Sequence, residues 1–177
     1  GRPIVDVSLQ TIEKELLKHQ FVLSVQCYKT APNVVHVNVE QRLPLVRVMS
    51  DTGENYFIDT NGDKMTHVEY PADVIVATGS ISQKYAKRCL VKVGEELQQN
   101  NFWNSQVEQI HVLKDGTLEL IPRVGNHILY LGKPTGVTEK LGKLKMFYDK
   151  VLCHVGWNKY NRISVEYNNQ IICTKTE

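Results

Sequence analysis

The residues of this 177-residue chain best suited to chemistry are Ser80, the acids around Asp59, a glycine–lysine run starting at Gly136, four cysteines and six histidines. A serine nucleophile on a sharp strand-to-helix turn is written G-x-S-x-G. "ATGSIS" supplies Gly79 and Ser80, but no glycine follows two residues on, and no serine has a lysine three positions later. A phosphate loop needs four residues between its glycines and a hydroxyl residue after its lysine. "GVTEKLGKL" has five, and Leu144 follows Lys143, so the run reads as an amphipathic helix. Asp59, Asp63 and Glu69 flank Asn61-Gly62 without the D-x-D-x-D-G ladder of a calcium loop, and turn formation accounts for them. Cys27, Cys89, Cys153 and Cys173 stand far apart with no C-x-x-C, and the histidines are equally scattered, so a local zinc cage is absent. The cysteines read as small buried hydrophobes, with one disulfide open to an oxidising compartment and its pairing undetermined. The expectation is a protein without catalytic residues, metal or cofactor, and not an enzyme.

Composition narrows the field further. Lysine and arginine total 21 against 19 acids, a net charge of +2. That balance is wrong for a surface built to neutralise phosphates, and no basic run has aromatic neighbours for base stacking, so nucleic acid is not an expected partner. A hydrophobic share of 42% supports a packed core. No run approaches the roughly 20 apolar residues that cross a bilayer, and the chain begins "GRPIV", so it reads as a fragment of something longer.

The elements that must position any site follow from periodicity. "SLQTIEKELLKH" places Leu9, Ile12, Leu16 and Leu17 on one helical face, with Ser8 or Asp6 as cap. "FVLSVQCYK" and "NVVHVNVEQ" read as a hairpin turned at "TAPN", with Val35, Val37 and Val39 buried and His36, Asn38 and Glu40 wet. After Pro44, "LVRVMS" and "NYFIDT" are strands, and Asn61-Gly62 signals a hairpin with positive φ at both turn positions. A loop, "HVEYPADVIVATGSIS", leads to a helix over 82–100. Three strands follow, "SQVEQIHVLK", "TLELIPR" and "HILYLGK", with turns at Asp115-Gly116 and Gly125-Asn126. A last helix carries Leu141, Leu144, Tyr148 and Leu152 on one stripe, and Trp103 and Trp157 are expected in the core. "RISVEY", a two-residue Asn168-Asn169 turn and "QIICTK" close the chain.

Between the first hairpin and the rest lies "NVEQRLPLVRV". Pro44 cannot serve a central ladder, so Arg42-x-Pro44 reads as a joint between two folded units, with Arg42 paired to Glu40 or an acid nearby rather than catalytic. The fold class is α+β: residues 1–42 a helix plus β-hairpin, and residues 43–177 an antiparallel sheet with two helices.

Several stretches in this order resemble the FtsQ/DivIB family of bacterial division proteins. Ile12 to Leu16 matches its I-x-x-x-L; Val39-Glu40-Gln41-Arg42-Leu43-Pro44 matches a strand ending near V-x-E-R-x-P; Asp59-Thr60-Asn61-Gly62 matches its D-x-x-G. "LYLGK", "EKLGKLKMFY" and "ISVEYNNQIIC" match its later elements, and "GWNKYNRISVEY" looks most like versions from the Bacteroidetes. The resemblance implies the last part of a POTRA domain followed by a β-domain, in the periplasm, tethered to the inner membrane by a single N-terminal helix. It implies a non-enzymatic scaffold that binds FtsB and FtsL and links to septal peptidoglycan synthesis. The alternative reading is a POTRA-type chaperone or polypeptide-transport module. Many family members carry Arg before the Tyr of the last hairpin, where this chain has Glu166 before Tyr167, so any charge pair made there is reversed or absent.

The expected partner site is the final strand, acting as an open sheet edge: Gln170, Ile171, Ile172, Cys173, Thr174 and Lys175, with Tyr167 alongside. It has no proline and one lysine, so little blocks an incoming strand. Tyr167 with Ile171 or Ile172 are the expected anchors, and alternate amides along the strand face inward and outward.

Overall fold

A computed structural model describes residues 8–31, 34–66 and 73–176. Asp6, Glu69 and the last two residues of "TAPN", Pro32 and Asn33, lie outside these residues. The chain divides into two compact units, Gly1–Leu43 and Pro44–Glu177.

In the first unit, helix α1 (Leu9–Leu16) precedes an antiparallel pair, β1 (Val22–Ala31) and β2 (Val34–Gln41). Ser8 caps α1, its hydroxyl accepting from the Thr11 amide. Leu9, Ile12 and Leu16 form the half-buried face, whereas Leu17 caps the C-terminus and is exposed. The alternation of β2 does not translate into burial. Val37 and Val39 are 42% and 51% exposed, although their partners Cys27 and Val25 on β1 are half-buried. The pleat sends these side chains to a common face, and α1 packs against β1. Alternation therefore fixed which side each valine takes, not whether anything covers it.

Among the described residues the second unit forms a nine-stranded sheet. Its strands are β3 (Val46–Ser50), β4 (Asn55–Ile58), β5 (Lys64–Met65), β6 (Ile75–Gly79), β7 (Val107–Val112), β8 (Leu118–Pro122), β9 (Ile128–Gly132), β10 (Tyr160–Ser164) and β11 (Ile172–Lys175). They are ordered β11-β10-β9-β8-β7-β6-β3-β4-β5. The α+β class holds. The sheet is mixed rather than purely antiparallel: β3/β6, β6/β7 and β9/β10 run parallel, and the other five neighbouring pairs are antiparallel. The stretch "VIVATG", expected as loop, is β6, an interior strand flanked by parallel partners. It lacks polar alternation because Ile75, Ala77 and Gly79 on one side are buried and Val76 and Thr78 on the other are half-covered.

The expected helix over 82–100 is α2 (Gln83–Tyr85), a π turn (Ala86–Leu90) and α3 (Val91–Gln99). A further helix, α4 (Asn101–Gln106), follows it, started by Asn100, whose side-chain oxygen accepts from the Phe102 and Trp103 amides. The last helix is α5 (Val137–Phe147), a π turn (Tyr148–Leu152) and α6 (Cys153–Val155). Its Leu141, Leu144, Tyr148 and Leu152 are buried as the stripe requires. Trp103 is buried too, but Trp157 is 37% exposed, one ring edge meeting Tyr148 at 5.2 Å. Burying these apolar groups on the helix-covered face of the sheet supplies the main stabilisation, about 25 cal/mol per Å2.

Two turn signals resolve differently from expectation. Gly62 has φ +74°, but Asn61 does not take positive φ, so the Asn-Gly pair is not a two-residue hairpin. Instead the buried Asp59 carboxylate accepts from the Asn61 and Asp63 amides at 2.9 and 2.8 Å and closes a longer loop. Gly79 is required by proximity: with φ +100°, an added Cβ would lie 2.2 Å from the Val112 carbonyl oxygen on β7. Gly79-Ser80 is thus a strand-end device, not a nucleophile turn.

Candidate partner-binding edge

β11 lies at one end of the sheet order, paired on its inner side with β10 through Ser164↔Ile172, Ile163↔Cys173 and Arg162↔Thr174. Among the described residues no strand pairs with its outer side. The direction of each backbone group follows from the neighbouring ladder. Val165 donates its amide to the Tyr130 carbonyl on β9 at 3.0 Å, so Ile163 and Val165 face β9, and Arg162 and Ser164 face β11. Ile172 and Thr174, directly opposite, turn their N–H and C=O inward. Cys173 and Lys175 turn theirs outward, and the Thr176 amide returns to the Lys159 carbonyl at 3.2 Å. The outer edge therefore offers two donors and two acceptors within β11.

The expected site residues do not all lie on this strand. β11 begins at Ile172; Gln170, Ile171 and Tyr167 belong to a seven-residue connection, 165–171. Asn168-Asn169 do form a turn, but it is not a two-residue hairpin loop, because the β10–β11 ladder ends at Ser164↔Ile172 and leaves 165–171 between the strands. The connection is held down by α5. The Lys143 ammonium donates to the Asn168 carbonyl. Glu166 lies over Gly132, where an added Cβ would come within 2.8 Å of its Cγ. Lys140 is buried and donates to the Lys133 carbonyl at 2.8 Å; burial pulls its pKa down while the Glu166 carboxylate opposes that shift. Glu166 is thus set in a lysine-lined position on the domain's own surface. Tyr167 and Ile172 are the exposed apolar groups, at 54% and 48%, whereas Ile171 packs against the core and is not an available anchor.

Sequence reasoning missed Lys140 and Lys143 as supports of this connection. Lys140 is among the buried residues of α5 and Lys143 is half-buried, and nothing in the local pattern signals the bond from Lys143 to Asn168. The four cysteines are free thiols. Cys27, Cys89 and Cys173 are half-buried and Cys153 is exposed, which corrects the expectation of four buried hydrophobes. Burial raises the pKa of the Cys173 thiol, so it contributes as a small apolar group. Among the described residues no helix is long and apolar enough to cross a membrane.

Comparison with known families agrees with this architecture. A POTRA-like domain model matches residues 1–40, and a model described as FtsQ/DivIB, C-terminal related, matches residues 43–174. No curated protein matches the chain. The second match spans most of the chain, including β11. FtsQ/DivIB proteins are membrane-anchored, non-enzymatic scaffolds of cell division, and the chain belongs to the FtsQ/DivIB C-terminal related family.

Proposed function

We propose that this chain is the periplasmic part of a division scaffold, tethered to the inner membrane by a helix N-terminal to it, and that β11 accepts a strand from FtsB- or FtsL-like partners, linking them to septal peptidoglycan synthesis. The observation that carries the reading is the bare outer edge of β11, with the amides of Cys173 and Lys175 directed outward beside exposed Tyr167 and Ile172. Strand addition supplies affinity through main-chain bonds and specificity through alternate side chains. Four outward groups at ~1 kcal/mol each give roughly 4 kcal/mol. Ordering a flexible partner costs ~1–2 kcal/mol per residue, so Tyr167 and Ile172 must contribute as anchors.

The test is a pair of proline substitutions read by co-purification with FtsB and FtsL. Cys173→Pro removes an outward donor and leaves the inner ladder whole; it is expected to fold normally and lose partner capture. Ile172→Pro removes an inward donor and is expected to weaken the closing hairpin itself. Normal capture by a folded Cys173→Pro protein refutes the edge assignment. Recovery of many unfolded polypeptides in place of a few defined membrane proteins supports the chaperone or transport reading instead.

A further inference from the structure

Among the described residues, β11 is hydrogen-bonded into the sheet through β10 alone, and β10 joins the sheet by a short parallel seam with β9: Arg162↔Ile128, Ile163↔Leu129 and Ser164↔Tyr130. Parallel pairing is slightly weaker per residue than antiparallel pairing, and three registered pairs leave little margin against peeling or slipping. The helix-covered side of the seam is apolar, with Leu129, Ile163 and Val165 fully buried. Apolar packing of this kind resists separation, but it is nearly indifferent to small sliding of one strand along another.

The opposite side carries a directional tie. Arg162 leaves β10, crosses the Tyr130 ring on β9 at 4.5 Å, and reaches the Glu119 carboxylate on β8 at 2.6 Å. Glu119 pairs in register with Tyr130, one step along from the Ile128 that faces Arg162, so the guanidinium spans a whole strand diagonally. The Glu119 side chain is only 10% exposed and that of Arg162 40%. A carboxylate held this far from water is costly unless paired, so Glu119 holds Arg162 to one position. A slip of β10 by one residue would turn Arg162 to the apolar side and leave Glu119 unpaired. Thr174, the β11 residue opposite Arg162, is fixed by the same register.

We propose that Arg162 and Glu119, with Tyr130 between them, are positioning residues: a clamp that locks the register of the closing hairpin and so keeps the outward groups of Cys173 and Lys175 presented. The consequence for binding rests on the edge reading above; the clamp itself does not.

Amide hydrogen exchange on the whole chain, free in solution, tests it without any partner. Arg162→Met keeps the aliphatic stem and removes the charge, Glu119→Gln removes the counter-charge, and Arg162→Lys keeps a charge without the guanidinium fork. Arg47→Met is the control, since Arg47 on β3 lies over the Phe57 ring of β4 at 5.8 Å, far along the strand order. Arg162→Met and Glu119→Gln are expected to speed exchange at least tenfold over 160–176 while 75–79 and 107–112 stay within twofold of wild type. Arg162→Lys should recover part of that protection, and Arg47→Met should leave 160–176 unchanged. The proposal is overturned if exchange over 160–176 does not rise, if it rises equally in every strand, or if Arg47→Met has the same effect there. Should Arg162→Met fail to fold, Glu119→Gln carries the same reading. If the hairpin loosens as stated while Cys173→Pro still captures its partners, the clamp stands and the edge assignment falls.

Discussion

His127 should make the second unit less stable as pH falls below about 6.5. Its ring is buried, its Nε2 lies 2.6 Å from the Tyr148 hydroxyl, and Trp157 is nearly parallel to it at 6.5 Å. Burial lowers its pKa from 6.5, with the Trp157 backbone only partly opposing that shift. Tyr148 is itself kept neutral, because burial raises its pKa. The folded state therefore holds the ring neutral below the pH at which the unfolded chain takes up a proton. Where the unfolded state binds more protons, stability rises with pH, so the contribution is whole above about 6.5 and is lost as pH falls below it. At 1.36 kcal/mol per unit, the loss is bounded by about 1.4 kcal/mol at pH 5.5 and about 2 kcal/mol at pH 5. Urea unfolding at half-unit pH steps measures this directly. The double variant His127→Phe/Tyr148→Phe removes both hydrogen-bonding partners together, so neither is stranded, and is expected to flatten the curve over the same range. Parallel curves for the two proteins from pH 7.5 to 5 would refute the assignment.

Two further outcomes follow from geometry. Gly79→Ala forces a Cβ to 2.2 Å from the Val112 carbonyl oxygen at φ +100°, and is expected to cost about 2 kcal/mol or more in urea unfolding of the second unit. Val37→Asp reverses the intuition drawn from alternation: with Val37 already 42% exposed, the new carboxylate keeps its water, and the loss in thermal stability should stay within about 1 kcal/mol.

Sequence reading succeeded where one element's own pattern carries the information. The spacing of Leu141, Leu144, Tyr148 and Leu152 names a buried helix face, and all four are buried. It failed where the deciding partner lies elsewhere in the chain. "VIVATG" has no alternation because it is enclosed by β3 and β7, and nothing within six residues distinguishes such a strand from an apolar loop. Asn168-Asn169 has the composition of a tight turn and does turn, yet the ladder ends at Ser164↔Ile172, so the loop between the strands is seven residues and not two. Glu119 and Arg162 are 43 positions apart and separated by a strand, so no local pattern pairs them. The closing antiparallel pair itself was legible in "RISVEY" and "QIICTK", which supply β10 and β11. Which amides face outward required the bond from Val165 to Tyr130.

The weak seam and the open edge belong to one problem. A strand that accepts a partner must be unpaired on one side, and an unpaired edge gains nothing from a neighbour that would hold it flat. Binding to an edge formed only a fraction f of the time weakens apparent affinity by 1/f. An edge formed half the time loses only about twofold, whereas one formed a hundredth of the time loses about 100-fold, close to 3 kcal/mol. That loss would consume most of the roughly 4 kcal/mol available from four outward groups at ~1 each. A tie placed on the exposed side of β10 keeps f high without covering β11. A covering strand or helix would have stabilised the hairpin more, but it would have occupied the outward groups of Cys173 and Lys175 that the proposed strand addition requires. An ion pair that starts one strand inward from the edge and reaches the third is therefore the form of support that an accessible edge allows.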